Sequence, residues 1–193
     1  MKRRLSIILA AAALASGCGY NNIQTYDERA SAAQGTIETQ LQRRADLIPN
    51  LVQTVKGYAQ HEETIFTEVA DARSRLLGAK QSGDPEAMAN ANAQMSGALG
   101  RLLAISEAYP TLKADANFRQ LQDELTGTEN RIAVARNDYN EAVKEYNTYI
   151  RQFPTALTAK VTGAKPRKYF EVTDPAMRSG PPTVDFSKPK TSP

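Results

Sequence analysis

The chain has very little of the chemistry that most enzymes use. Its 193 residues include one cysteine and one histidine. A single cysteine excludes an internal disulfide, and a single histidine excludes a two-histidine metal site. His61 opens a segment that starts like the helix motif of zinc peptidases, but Ile65 stands where that motif needs its second histidine. We therefore predict no catalytic residues, no metal, no cofactor and no enzymatic activity.

The chain also lacks net charge once its first four residues are set aside. Three of its 24 basic residues are Lys2, Arg3 and Arg4, which leaves 21 basic residues against 21 acidic ones. A nucleic-acid partner would need a basic face or stripe. The balance of charge therefore predicts that the protein does not bind nucleic acid.

No apolar run is as long as a membrane span. The run from Leu5 to Gly17 has 13 residues, whereas crossing the hydrocarbon core takes about 20. A basic start, an apolar run and the small residues before Cys18 are typical of a secretory signal peptide, which we predict over residues 1–17. The alternative is a retained N-terminal transmembrane anchor.

Cys18 follows Ala15-Ser16-Gly17, a pattern that resembles the lipobox of bacterial lipoproteins, although that motif prefers leucine where Ala15 stands. We predict lipidation of Cys18, with residues 18–21 as the anchor that makes the membrane a partner. The alternative is an unmodified thiol. Gly19 instead of aspartate favours the outer membrane, on its periplasmic face, if the source has one.

Helix-breaking residues are sparse in the first half, where Pro49 is the only proline among 84 residues. Apolar and small side chains recur every three or four residues in four segments, as in helices with coiled-coil-like seams. We predict helices at about 22–45, 48–82, 85–109 and 116–153, which form an all-α antiparallel up-and-down four-helix bundle over residues 22–153.

Only residues 46 and 47 separate the first two predicted helices in the sequence. We favour a hairpin in which Asp46 caps the second helix and Pro49 lies in its first turn. A single kinked helix through Pro49 is the alternative. Asp84 and Pro85 provide a clear start for the third helix.

The last forty residues differ in composition from the rest. Residues 154–193 contain seven of the ten prolines and seven basic residues against three acidic ones. This pattern predicts an extended basic tail with flexible links. Two short motifs in it, Lys168–Glu171 and Pro182–Phe186, resemble the motifs that close sequences of the LemA family, and this resemblance implies that they dock on the bundle in extended form.

Several blocks of sequence resemble the LemA family of bacterial membrane-anchored helical proteins. They are Tyr20-Asn21, the signature from Gln40 to Glu62, Ala108-Tyr109-Pro110, Asn117-Phe118, Thr128 to Ile132, the Tyr-Asn pairs at 139–140 and 146–147, and the two tail motifs. The resemblance implies a helical bundle at a membrane and implies no reaction. We expect a non-enzymatic scaffold that binds a protein partner near the membrane. The alternative is an accessory or sensor protein in envelope stress or membrane proteolysis, which binds a small molecule or lipid.

The signature also supplies the candidate partner-binding or structural polar site. Its residues are Arg43, Arg44, Asp46, Asn50, His61 and Glu62. Arg44 and Glu62 fall on inward-facing positions, but a hairpin near Asp46 separates them by about 20 Å. In that geometry Glu62 faces Ala30 to Ala33, and His61 is a surface residue.

Overall fold

The computed structural model describes the backbone of residues 2–174 and the side chains of residues 19–174. Within these residues there are six α-helices and no β-strand, so the fold is all-α, as predicted. The helices are α1 (Lys2–Lys56), α2 (Glu63–Ser82), α3 (Pro85–Ile105), α4 (Pro110–Ala114), α5 (Ala116–Tyr149) and α6 (Thr155–Thr162). The lipidated side chain predicted at Cys18 and the tail motif Pro182–Phe186 lie outside the described residues.

The first helix does not end where the sequence predicted. It continues through Pro49 to Lys56 without a break, so the hairpin expected near Asp46 is wrong. The chain turns instead over residues 57–62, and α2 begins at Glu63 rather than near residue 48. The signature therefore still contains a turn, but at its C-terminal end.

A side chain from α2 compensates for the proline. Pro49 has no N–H to donate to the carbonyl of Ala45, four residues earlier. Arg73 donates its Nε–H to that carbonyl instead, at 2.8 Å. Ala45 is fully buried, and a buried carbonyl without a partner is costly. The contact satisfies the one carbonyl that Pro49 leaves without its helical donor.

The longest helix contact is between α1 and α5, which run in opposite directions. Ile23 packs against Tyr146 near one end of the pair. At the other end, Tyr58 donates its hydroxyl hydrogen to the Asp115 carboxylate at 2.9 Å, just before α5 begins. We call the end that contains Ile23, nearer the N-terminus of the chain, the proximal end and the end that contains Tyr58 the distal end.

The second and third helices add two more antiparallel contacts. The carbonyl of Gly83, at the end of α2, accepts a hydrogen bond from Gln34 of α1 at 3.0 Å. On α3, Arg101 is paired with Glu68 of α2 at 2.8 Å. Successive long helices therefore alternate in direction along the chain.

Local capping signals set three of the helix boundaries. Gly83 ends α2 in the left-handed conformation, with φ of 65°, where glycine has no steric penalty. The Asp84 carboxylate accepts the Glu86 N–H at 3.2 Å and caps α3. Asp115 caps α5 by accepting the Phe118 N–H at 2.9 Å. The short helices α4 and α6 were not predicted.

The buried side chains form two clusters. The larger one contains side chains of α1 from Ala30 to Val55 together with side chains of α2, α3 and α5, and Phe170 of the tail belongs to it. The smaller one, at the proximal end, contains Ile23, Tyr146, Ile150 and Ala159. No helix in the part of the chain that the structure describes is long and apolar enough to span a membrane.

We predict that Arg73→Ala lowers the free energy of unfolding by about 1–3 kcal/mol, because it leaves the buried Ala45 carbonyl without a donor. In a Pro49→Ala background, the restored backbone N–H takes over this role and the same substitution costs much less. A double-mutant cycle measured by urea denaturation tests the coupling. Arg75→Ala, on the exposed face of α2, is the matched control. Additive effects of the Arg73 and Pro49 substitutions would contradict the compensation.

Candidate binding site

A buried arginine joins three helices in the middle of the protein. Arg44 projects inward from α1, and its side chain is 5% exposed. Its guanidinium donates to Asn92 Oδ1 at 2.7 Å and to Ser96 Oγ at 3.1 Å, both on α3. It also forms an ion pair with Glu129 of α5. We call these four residues the Arg44 cluster.

The two charges of this ion pair have different surroundings. The Glu129 side chain is 46% exposed, so water shares in its solvation, whereas Arg44 depends almost entirely on protein groups. Burial lowers the pKa of Arg44, and the nearby Glu129 carboxylate opposes that shift. Arg44 Nε is buried without a hydrogen-bond partner among the described residues. Glu129 is therefore the main compensation for a buried positive charge.

A cleft of about 710 Å³ opens beside the Arg44 cluster, between α3, α5 and the tail. Three members of the cluster, Asn92, Ser96 and Glu129, line one side of the cleft. The other lining residues are Ala89, Ala93, Ile132, Ala133, Arg136, Asn137, Asn140 and the tail residues Phe170, Glu171 and Val172. The cleft offers amide, hydroxyl, carboxylate and guanidinium groups on an apolar floor. Such a lining suits recognition by hydrogen bonds and charge.

Two asparagines on α5 hold the backbone of the tail. Asn147 accepts the Arg167 N–H at 2.8 Å and donates to the Arg167 carbonyl at 2.9 Å. Asn140 does the same for Phe170, at 2.8 and 3.3 Å. Each amide thereby satisfies both polar groups of one tail residue, as a neighbouring strand would. On α3, Asn90 accepts the Thr173 N–H at 2.9 Å. The Lys168–Glu171 motif is thus docked along the helices.

Side chains of the tail add charged and polar contacts. The Arg167 guanidinium binds both carboxylate oxygens of Asp27, at 2.7 and 3.0 Å, and this hydrogen bonding raises the pKa of Arg167. The Lys168 ammonium lies 3.1 Å from Asp84. Tyr139 donates its hydroxyl hydrogen to the Lys168 carbonyl at 2.8 Å. Burial raises the pKa of Tyr139, so the phenol keeps this proton well above neutral pH.

Among the candidate residues predicted on α1, only Arg44 reaches the interior. Arg43, Asp46 and Asn50 are exposed, and Asp46 accepts a hydrogen bond from Gln42 at 2.8 Å within the same helix. The structure therefore does not gather the four into one pocket. A role for the three exposed residues in binding a partner stays a prediction.

The other two candidates lie at the distal end. His61 is exposed in the turn between α1 and α2, and Glu62 precedes α2 without capping it through its side chain. The expectation that Glu62 faces Ala30 to Ala33 is wrong, because α1 does not turn back at Asp46. That part of α1 lies near Gly83, as its contact with Gln34 shows.

Sequence reasoning missed the partners of Arg44 and the function of the Tyr-Asn pairs. Asn92 and Ser96 are four residues apart on α3, a spacing that places two polar groups on the same face beside the apolar stripe. Asn140 and Asn147 are seven residues apart on α5, again on one face. Both spacings are visible in the sequence, but neither identifies the group that the side chains bind.

The family model for LemA matches residues 33–186, which include the Arg44 cluster and the docked tail. This chain belongs to the LemA family. It is 31% identical to the magnetosome proteins MamQ 1 and MamQ 2 of Paramagnetospirillum magneticum over 177 residues, covering 79% of this chain and 64% of each relative. MamQ of Magnetospirillum gryphiswaldense is similar at 31% identity over 176 residues, covering 78% and 64%. The chain thus spans less than two-thirds of these curated relatives.

For the ion pair of this LemA-family protein, we predict that Glu129→Gln destabilises the fold more than Arg44→Met does. The glutamine leaves a buried cation without its counter-charge, at a cost of about 2 kcal/mol, whereas methionine removes the buried charge itself. Urea denaturation of the two variants gives the comparison.

Glu145→Gln is the matched control, since the pair of Glu145 with Arg29 is exposed on both sides and should contribute less than about 0.5 kcal/mol. A larger loss for Arg44→Met than for Glu129→Gln would show that the hydrogen bonds of the cation, and not its neutralisation, dominate.

For the tail, we predict that Asn140→Asp releases the segment around Phe170, because a carboxylate cannot donate to the Phe170 carbonyl and repels it. A loss of about 1.4 kcal/mol in docking makes tryptic cleavage after Lys168 roughly tenfold faster. Limited proteolysis followed by mass spectrometry measures the rate. Asn130→Asp makes the same change at an exposed position of α5 and should leave the rate unchanged. Equal rates for wild type and Asn140→Asp would exclude the amide as the docking contact.

Proposed function

We propose that this LemA-family protein is a non-enzymatic helical scaffold, held at a membrane surface by lipidated Cys18, that binds a protein partner at its distal end. In this proposal α1, α2, α3 and α5 form an up-and-down four-helix bundle on the extracytoplasmic face of the membrane. A transmembrane segment at the N-terminus is the alternative anchor. The chain belongs to the LemA family, and the resemblance to that family implies a membrane-anchored helical protein. This membership supports the location at a membrane.

The observation that carries the proposal is the extent of the α1 and α5 pair. Contacts run from Ile23 on α1 to Tyr58 in the turn after α1, whose hydroxyl meets Asp115 at the start of α5. The helical part of this stretch, from Ile23 to Lys56, would span about 51 Å at 1.5 Å per residue. A rod of this length separates the residues that follow Cys18 from the distal turn. The arrangement suits a spacer that presents one end away from the membrane.

The distal turn offers several exposed side chains to a partner. Tyr58, Gln60 and His61 are exposed there. The hydrogen bond between Tyr58 and Asp115 fixes the turn relative to α5. Because this contact already fixes the Tyr58 side chain, the turn would lose little conformational entropy when it binds a partner. The turn, and not the interior, is therefore the surface we assign to the partner.

The interior polar groups support a structural rather than a catalytic use. The guanidinium of Arg44 is already engaged by Asn92, Ser96 and Glu129. Its position between three helices makes it a contact that sets their register.

We predict that mass spectrometry of the mature protein finds an acylated N-terminal Cys18, and that Cys18→Ser abolishes both acylation and membrane retention. In cells, a photo-crosslinking amino acid in place of His61 should capture one reproducible protein. The same amino acid in place of Asn130, which is exposed midway along α5, should not. Equal capture from both positions, or turnover of a substrate by the purified protein, would contradict the scaffold.

The cleft beside the Arg44 cluster favours a second candidate, an accessory or sensor protein in envelope stress or membrane proteolysis. Its volume of about 710 Å³ and its mixed lining are in the range of small-molecule sites. Native mass spectrometry of protein isolated from cells distinguishes the two candidates. A retained small molecule or lipid that is lost in Ala133→Phe, which fills the cleft, would favour sensing over scaffolding.

A further inference from the structure

The short helix α6 exposes its large apolar side chains and buries its small ones. Thr155 and Ala159 face the protein, whereas Leu157 is 62% exposed and Val161 is 88% exposed. Phe153, just before the helix, is 85% exposed. A surface helix of a globular protein normally has the opposite pattern. The outward face of α6 therefore suits contact with an apolar environment better than contact with water.

Exposed apolar residues are concentrated at this end of the molecule. Within residues 19–174, six large hydrophobic side chains are exposed, namely Tyr20, Tyr58, Val134, Phe153, Leu157 and Val161. Four of these six, all except Tyr58 and Val134, lie on α6, directly before it or on the part of α1 beside it. A group of this kind marks an interaction surface, whereas single exposed apolar residues are ordinary.

The segment of chain that contains α6 has charges of one sign. Between Tyr146 and Phe170 there are five basic residues and no acidic residue. Two of them, Arg167 and Lys168, are paired with the carboxylates of Asp27 on α1 and Asp84 before α3. The remaining three, Arg151, Lys160 and Lys165, are exposed and lie close in sequence to the three exposed apolar residues. Apolar side chains framed by basic ones are typical of helices that lie on an anionic membrane.

The position of α6 in the fold identifies the membrane as the occupant. The helix packs against α1 at Gly19, where a Cβ would lie 3.5 Å from Thr158 Oγ1. Gly19 directly follows Cys18, and the most apolar run of the chain, Leu5 to Gly17, ends just before it. With either anchor, a face at this position lies at the lipid surface.

We propose that Phe153, Leu157 and Val161 insert into the interface of an anionic bilayer and that Arg151, Lys160 and Lys165 contact its headgroups. This contact would fix the tilt of the α1 and α5 pair on the membrane, which a single tether cannot do. The inference rests on the membrane anchoring proposed above. A second copy of the chain is the competing occupant.

The chain has no tryptophan, so a single introduced tryptophan reports one position. The full-length protein, purified from membranes, is reconstituted into vesicles of equimolar phosphatidylcholine and phosphatidylglycerol. For Leu157→Trp, we expect emission at shorter wavelength and roughly twofold or greater quenching by phosphatidylcholine brominated near its headgroup, since an interfacial helix sits in that layer. Val161→Trp provides a second probe of the same face.

Val134→Trp is the matched control, because Val134 is 60% exposed but lies midway along α5, and it should not be quenched. Vesicles of phosphatidylcholine alone should reduce the quenching of the two α6 probes. Vesicle flotation and the mass of the N-terminus measure anchoring separately. Flotation without quenching at both α6 positions would overturn the inference and leave the anchor standing. A shift to shorter wavelength without quenching would indicate self-association and overturn it too, as would equal quenching of the Val134 probe.

Discussion

The carbonyl of Ala45 is the point on which the length of α1 depends. Pro49 leaves this carbonyl without its helical donor, and Arg73 of α2 supplies one at 2.8 Å. A helix interrupted by proline normally kinks or ends, but here a neighbouring helix completes the hydrogen-bond pattern. Because α1 then continues to Lys56, it reaches the start of α5, and the turn into α2 lies at the far end. The single donor thus links the helical path of α1 to the packing of α2.

The residue before Ala45 in the chain is Arg44, which needs partners instead of supplying them. Arg73 brings a charge to a backbone group, whereas Arg44 is a charge that requires other groups around it, and it finds them on α3 and α5. A buried cation with one carboxylate partner penalises any shift between these helices, since a shift would leave it uncompensated. Two arginine contacts at adjacent positions of α1 therefore couple all four long helices, one through α2 and one through α3 and α5.

The sequence predicted the features that depend on residues close together in the chain, and it missed those that depend on contacts between distant residues. Periodicity identified the all-α fold, and Asp84 and Pro85 located the start of α3, because each of these signals depends on residues close together in the chain. The hairpin at Asp46 was wrong because the donor that rescues Pro49 is 28 residues away from Ala45. Helix α6 was missed because the proline content of residues 154–193 predicted an extended tail over the whole segment. Arg44 was found as a buried polar residue, but its partners were not.

The docked tail has a geometric property that follows from the spacing of its asparagines. Seven residues of α-helix rise about 10.5 Å, and three residues of extended chain cover about 10 Å. Asn147 and Asn140 therefore meet Arg167 and Phe170 with almost no mismatch, and Asn90 meets Thr173 one further step of three along the tail. The spacing of the asparagines on the helices therefore selects the register in which the tail docks. A slip of the whole segment by one or two residues would misalign all three asparagines at once, whereas an insertion within it would separate the contacts on its two sides and leave only one side in register.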